Sequence, residues 1–427
     1  MDLLAVDIFR NGRHRLRLIL SIFEIQESLF FICDTQISLS IIFLTFDAQM
    51  EINLENAVYY HQEGFPPTTI DYSSIIQPLM EAGAALARYD EALGRLHNRE
   101  LFLAPLRNQE VVASSRMEGT ISTMDEILQY DSSKDDDEED DILKANVRSD
   151  VIETILYRRA LRYAQQEIGD GRPISDGLIR SMHQMLLSFG RGAAKKPGQY
   201  KTEQNYIGDE RNGNISYVPI SPEKLPEGMD RLFDYIRQSE HPELIRTALA
   251  HVEFEALHPF KDGNGRIGRM LITLMLWSGG DISSPHFYIS RYMEEHKAAY
   301  IARMKAVSSG NDWMGWLSFF FEAVKDQAKY NLEMISRIGE LYEAMKPIFS
   351  DITGSRYSIA LLDAIFTSPR FDNRRISKLS GISPATVNRF TNTLLAHPSD
   401  LVEIVQPAAG RRGAIFSFEP LLQIIRV

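Results

Sequence analysis

Residues 258 to 269 read His258-Pro259-Phe260-Lys261-Asp262-Gly263-Asn264-Gly265-Arg266-Ile267-Gly268-Arg269, and they constrain the chain more than any other stretch. Helical periodicity runs into this segment from Glu243 to Leu257 and out of it through Met270, Leu271, Leu274, Met275 and Trp277 to Gly279-Gly280. Pro259 takes His258 out of regular helix, and Gly263 and Gly265 let the backbone approach a ligand closely. One helix must stop here and another begin. If Gly265 opens the second helix, its free N–H groups form an anion site for which phosphate is the natural guest.

The neighbouring side chains suit that guest. Arg266 and Arg269, three apart on one helix face, offer planar donors to phosphate oxygens. Asp262 supplies a hard oxygen suited to Mg²⁺ bridging phosphates, and His258 has an intrinsic pKa fit for taking a proton near neutrality. Together they predict a phosphoryl- or nucleotidyl-transfer site; spacing alone does not tell attack at an α-phosphate from attack at a γ-phosphate. Gly263 to Gly268 also matches a dinucleotide-binding fingerprint, but that motif needs a preceding strand, and residues 246–257 read as helix. A metal site from His251, Glu255 and His258 is the weaker alternative, because Pro259 removes His258 from the shared helix face; His251 and Glu255 are expected to be structural.

Helical spacing recurs in residues 70–96, 105–115, 120–128, 142–168, from an N-cap at Ser175 to about Phe189, and in residues 221–238, with further helices to about Met345. Lys134 to Asp141 is a run of like charges that cannot pack and reads as a solvated loop. Between Pro197 and Pro219, β-prone residues flank Asn212-Gly213-Asn214, a hairpin signal. Arg10, Arg13, Arg15 and Arg17 precede an apolar stretch that Glu24 and Glu27 interrupt, and residues 37–46 are too few to span a bilayer as a helix. No membrane segment is expected, and Met50 reads as the functional start. With a single cysteine, Cys33, there is no intrachain disulfide framework, which suits a reducing, cytoplasmic setting.

Residues 354–427 differ in character. Nine Lys and Arg against five Asp and Glu give this tail +4, leaving −16 on the rest of a chain whose total is −12. It reads helix at 358–366, helix at 374–379, a turn at Gly381, helix at 384–395, then strand, a Gly410-Arg411-Arg412-Gly413 turn and strand, an order resembling a winged helix-turn-helix.

The segment from His258 to Arg269 resembles the Fic family signature His-Pro-Phe-x-Asp/Glu-Gly-Asn-Gly-Arg-x-x-Arg at every fixed position. The resemblance extends over roughly residues 53–345, with an N-terminal part similar to the Fic/DOC N-terminal module. It implies a mainly α fold: a helical Fic core with a β-hairpin flap and a small C-terminal winged helix-turn-helix domain. The domains are then an N-terminal extension (1–49), a helical module with an inhibitory helix and acidic loop (50–141), a catalytic core (142–345) and the winged tail (354–427). The implied activity is transfer of AMP from ATP to a Ser, Thr or Tyr hydroxyl of a target protein, or of the chain itself, with pyrophosphate leaving.

In that reading His258 deprotonates the target hydroxyl, Phe260 anchors the loop, and Asp262 holds Mg²⁺ on the phosphates. Gly263, Asn264 and Gly265 cradle phosphate oxygens, while Arg266 and Arg269 bind the β- and γ-phosphates. Gln204, Asn205, Tyr206, Ile207, Tyr217 and Val218 belong to the flap that aligns the target by strand addition. Upstream, Ser114-Ser115-Arg116-Met117-Glu118-Gly119 resembles the inhibitory pattern Ser/Thr-x-x-x-Glu-Gly/Asn of autoinhibited members. Ser114 and Glu118 lie one turn apart, so Glu118 can pair with Arg269 and occupy the place of a γ-phosphate. In some family members the same glutamate helps remove AMP. A homodimer is expected; a regulator binding DNA through residues 354–427, with Arg374, Arg375, Lys378 and Arg389 meeting phosphates and Arg411 and Arg412 at the wing tip entering a groove, is the alternative of a different class.

Overall fold

The described residues of the computed structural model are 6–11, 13–18, 53–96, 98–132, 148–209, 213–409 and 413–426. They divide between two compact units, residues 1–57 with 206–217 and residues 58–205 with 218–427. In the smaller unit β1 (Val6–Asn11) pairs antiparallel with β2 (Arg13–Leu18), so the arginine-rich start is hairpin backbone. The remaining sequence up to residue 52, the acidic run 134–141, Asn212, Arg411 and Arg412 lie outside the described residues.

The larger unit begins with β3 (Val58–Tyr59) and α1 (Tyr72–Arg95), which Asp71 caps by accepting a hydrogen bond from the Ser73 N–H. Next comes α2 (Glu100–Met117), in which fifteen of eighteen residues are buried. The sequence spacing starts this helix at about residue 105, whereas the structure carries it back to Glu100. Burial on almost every side outweighs the roughly 3 kcal/mol that an interior proline costs. After α3 (Met124–Ser132) and α4 (Ser149–Gly169), Ser175 caps α5 (Asp176–Leu186) by accepting from the Leu178 N–H, at the position the sequence predicts.

Between α5 and α6 the chain enters the smaller unit, where β4 (Ile207–Asp209) pairs antiparallel with β5 (Asn214–Val218) and Ile207 lies opposite Tyr217. This is the hairpin that the Asn-Gly signal predicts. Back in the larger unit, α6 (Leu225–Gln238) packs on α7 (Glu243–Leu257), and α7 on α8 (Asn264–Ser278); α4 supports α8 from a second side. Short α9 (Ser290–Glu295) and α10 (Lys297–Gly310) lead to α11 (Trp313–Thr353).

The 41 residues of α11 continue through Pro347 to an αL cap at Gly354. The helix runs unbroken past residue 345 to the start of the tail, packing on α1 and α7 in its course and on α12 (Ser358–Thr367) beyond it. The tail then forms β5's successor β6 (Arg370–Phe371), α13 (Asn373–Ser380), α14 (Pro384–Leu395), β7 (Val402–Gln406), β8 (Ile415–Phe418) and α15 (Glu419–Ile425). Its three strands are antiparallel in the order β6-β8-β7. The architecture is mainly helical, and among the described residues no helix is long and apolar enough to cross a membrane.

Candidate active site

The loop between α7 and α8 is shaped by two left-handed residues. His258 (φ +47°) ends α7 while its N–H still bonds the Phe254 carbonyl at 3.1 Å, and Gly263 (φ +77°) caps α8. Asn264 closes the loop on itself: its amide oxygen accepts from the Phe260 N–H at 2.8 Å and its amide nitrogen donates to the Phe260 carbonyl at 2.9 Å. Asn264 was expected to cradle phosphate; its side chain is spent on this clasp, leaving its backbone N–H at the helix start for a ligand.

Phe260 is fully buried and stacks on the His183 ring with centroids 3.7 Å apart. The Gly198 N–H donates to His183 Nδ1 at 2.8 Å, so Nε2 carries the proton and donates to the Asp262 carbonyl at 3.0 Å. Burial pushes His183 down to about 4, keeping this strut neutral. His183 carries no sequence signal of this role. It is one polar residue on a helix whose apolar spacing is unremarkable.

Arg269 is buried against α2. Its Nε donates to Ser114 Oγ at 2.8 Å, and its Nη2 donates to the Ser114 carbonyl at 3.0 Å and to Glu118 Oε1 at 2.8 Å. Thus the structure brings Ser114, Glu118 and Arg269 together. Gly119 (φ +80°) ends α2 just beyond Glu118, and the Thr120 N–H reaches back to the Ser115 carbonyl. A Cβ on Gly265 would lie 2.3 Å from Glu118 Oε1, so the carboxylate rests on the first turn of α8. It holds the spot where the helix start and the arginine both favour an anion.

Arg266 turns to the other side, 3.4 Å from Glu153 Oε2 on α4 and 3.6 Å from Asp262 Oδ1. Asp262 also accepts from the Gly263 N–H at 2.6 Å, and its side chain is 39% exposed. Burial alone would raise the Glu118 pKa, but Arg269, aided by Arg266 and His258, outweighs it and holds the carboxyl below its ordinary value. Burial, then the neighbouring Lys201, lowers His258 to about 4 against the opposing pull of Glu118, so the imidazole is neutral at physiological pH. Burial lifts Glu255 to about 8 despite Arg269.

His251 is structural: Nδ1 lies 3.0 Å from the Gly268 carbonyl and Nε2 2.8 Å from the Tyr300 hydroxyl. Among the described residues no three His, Cys, Asp or Glu side chains are grouped to hold a metal, and helix, not strand, precedes Gly263. Both alternatives raised by the sequence therefore fall away. Gln204 and Asn205, expected to face a target, turn inward. The Gln204 amide donates to the Asn205 and Pro219 carbonyls, and the Asn205 amide to the His258 and Phe260 carbonyls. Unpaired loop carbonyls next to them are the physical reason. Tyr206 is exposed, and Ile207, Tyr217 and Val218 lie in the hairpin strands.

Fold and site thus define a helical protein with an arginine-lined anion site at a helix start. The Fic/DOC family model matches residues 173–276, and the Fic/DOC family N-terminal model matches residues 76–166. The probable protein adenylyltransferase of Aquifex aeolicus is 22% identical over 258 residues, 57% of this chain and 75% of that protein. Protein adenylyltransferase Fic of Nematostella vectensis is 29% identical over 133 residues, 30% of this chain and 29% of that protein, so the match spans under a third of that relative. A Fic family protein from Desulfovibrio desulfuricans G20 has the same fold, with a TM-score of 0.51 at 19% identity over 83% of this chain and 98% of that one. The chain is a Fic domain protein.

The buried imidazoles tie stability to pH. A histidine whose folded pKa lies below its ordinary 6.5 contributes fully above pH 6.5 and loses that contribution as pH falls toward the folded value, here about 4 for His183. At pH 5 the loss for His183 is on the order of 2 kcal/mol. Glu255 acts in the opposite sense, since its raised pKa favours folding at lower pH. Comparing variants isolates one group: thermal unfolding at pH 7 and pH 5 is expected to show a smaller acid-induced drop in His183→Gln than in the parent.

Proposed function

We propose that this chain is an autoinhibited protein adenylyltransferase, moving AMP from ATP to a Ser, Thr or Tyr hydroxyl of a target protein or of itself. The observation that carries the reading is the meeting of three features: neutral His258, the open start of α8, and an Arg269 whose anion position Glu118 holds. The names of the relatives support the AMP chemistry.

His258 takes the target's hydroxyl proton, the oxygen attacks the α-phosphorus, and the bond to the β-phosphate bridging oxygen breaks, sending its electron pair out with pyrophosphate. Backbone N–H groups of Asn264 and Gly265, with Arg266 and Arg269, hold phosphate oxygens in place. Asp262 fits Mg²⁺: it is a partly exposed carboxylate beside the anion site, and Mg²⁺ is commonly held by one or two carboxylates together with phosphates and water. When bound, the ion supplies positive charge against the phosphates.

The brake is Glu118 itself. Helix α2 is tied into the core, because Glu110 accepts from the Tyr157 hydroxyl and from the Ser290 N–H and hydroxyl, while Lys297 donates to the Met117 carbonyl. The Glu118 side chain is 30% exposed, so it can swing aside while the helix stays put. The same charged carboxylate stands near enough to His258 to influence its pKa, which favours AMP removal by an oriented water as a second reading. Incubating AMP-modified target with wild type and Glu118→Gly separates the two directions: removal by wild type alone supports the second.

The tail's element order and its β6-β8-β7 sheet support a winged helix-turn-helix. Arg374, Lys378 and Arg389 are exposed on it. With a charge of only +4 we assign it to target recognition; a salt-dependent mobility shift with duplex DNA would transfer it to nucleic acid.

With labelled ATP, Glu118→Gly is expected to raise AMP transfer about tenfold or more, a barrier change of ~1.4 kcal/mol or greater, and His258→Ala to abolish it. Unchanged labelling in the glycine variant would remove the brake from the account. The rate of the glycine variant should also keep its acid limb well below pH 6.5, since burial, Lys201 and the loss of Glu118 all disfavour the imidazolium. A pH–rate profile with an acid limb near 6.5 would contradict the assigned base.

A further inference from the structure

Four consecutive carbonyls of the loop, those of Leu257, His258, Pro259 and Phe260, each accept a hydrogen bond from Lys201 or Asn205, and Phe260 accepts a further one from the Asn264 amide. Lys201 donates from Nζ to Leu257 at 3.0 Å and from its backbone N–H to Pro259 at 2.8 Å. Asn205 donates from its amide to His258 and to Phe260, each at 3.1 Å. The two are locked together, with Lys201 Nζ donating to Asn205 Oδ1 at 2.8 Å.

This clasp lies under a backbone that needs holding. His258 has φ +47°, a left-handed conformation that costs a non-glycine residue about 1 kcal/mol or more and persists only where its surroundings enforce it. Lys201 is buried, at 3% exposure, and burial lowers its own pKa to about 7; in the acid range where His258 titrates it is charged, and there it is the neighbour that acts most strongly on His258 after burial itself. Neither residue is placed to touch the phosphates through these bonds; both act on the carbonyl side of the loop.

We propose that Lys201 and Asn205 are positioning residues for His258, fixing its backbone through the loop carbonyls. The Lys201 charge, held in the same clasp, also opposes protonation of the imidazole. The kinetic part of this inference rests on the adenylyl-transfer reading. A lysine is suited to the task because one ammonium reaches a backbone carbonyl and the Asn205 amide oxygen while carrying the charge that His258 feels. Methionine keeps the length and loses both functions; arginine keeps the charge.

The test uses full-length protein carrying Glu118→Gly, alone and with Lys201→Met, Lys201→Arg or Asn205→Ala. Lys201→Met and Asn205→Ala are expected to lower kcat for AMP transfer by about tenfold or more, with ATP affinity by calorimetry changed less than about threefold, and Lys201→Arg to recover part of the rate. An unchanged kcat, or ATP affinity falling in step with kcat, would overturn the proposal. A second readout needs no activity: an NMR titration of the His258 ring is expected to show a higher pKa in Lys201→Met and a value near the parent's in Lys201→Arg. An unmoved His258 pKa in Lys201→Met overturns the electrostatic part. If no variant transfers AMP while the titration shifts as expected, the adenylyl-transfer reading fails and the positioning of His258 by Lys201 stands.

Discussion

A guanidinium withdrawn from water must find partners, and the structure is arranged around that demand at Arg269. Leaving a buried charge unpaired costs several kcal/mol, more than most single contacts contribute to a fold. The side chain lies between α8 and α2, where the Ser114 hydroxyl, the Ser114 carbonyl and the Glu118 carboxylate take up its donors. Burial works against the charge of Arg269; Glu118, with Tyr300 and Glu255, more than restores it. Helix α2 is therefore a required part of the site, since it supplies the groups that make the arginine tolerable there.

The position of α2 is in turn enforced from several directions. Its interior is polar where neighbours demand it: Glu110 meets Tyr157 and Ser290, and Gln109 donates to the Ile425 carbonyl of α15. Helix α12 also packs on α2, and Arg370 of β6 donates to the Asp125 carbonyl of α3. The tail thus rests on the helix that carries Glu118 and on the helix that follows it. Because α11 runs without a break to Gly354, the tail is joined to the core by continuous helix, with no flexible linker between α11 and that cap. A partner that shifted the tail would act on α2 directly.

Much of this was legible in the sequence where the information is local. Pro259, Gly263 and Gly265 announce a helix-loop-helix, and Ser175 announces a cap, because each rule spans only a few residues. The Ser114 to Glu118 spacing was legible as a face, and its pairing with Arg269 came from resemblance to a family. His183, Lys201 and Glu153 were not legible as site residues. Each meets the loop or Arg266 from a distant element, and nothing in its own neighbourhood records that contact. Asn205 was misread for a related reason: adjacency to a hairpin suggests a surface role, while the unmet carbonyls beside it draw its amide inward. Pro105 shows the complementary limit, where tertiary burial overrides a local breaker.

In the proposed reading Glu118 and a terminal phosphate compete for one arginine and one helix start. Two negative charges about 4 Å apart repel by ~4 kcal/mol at an effective dielectric near 20, so the two states are close to exclusive. Competition of this kind is reciprocal: whatever weakens the Glu118–Arg269 pair strengthens nucleotide binding in the productive pose by the same factor, and bound nucleotide weakens the pair in return. The pair is well suited to such control because only one partner is fixed. Arg269 is 2% exposed and held by Ser114 as well, whereas Glu118 sits at the C-terminal end of α2, next to Gly119 at φ +80°, with its side chain 30% exposed. Most of the cost of opening therefore falls on one side chain, and a modest perturbation there can decide whether the site holds a carboxylate or a phosphate.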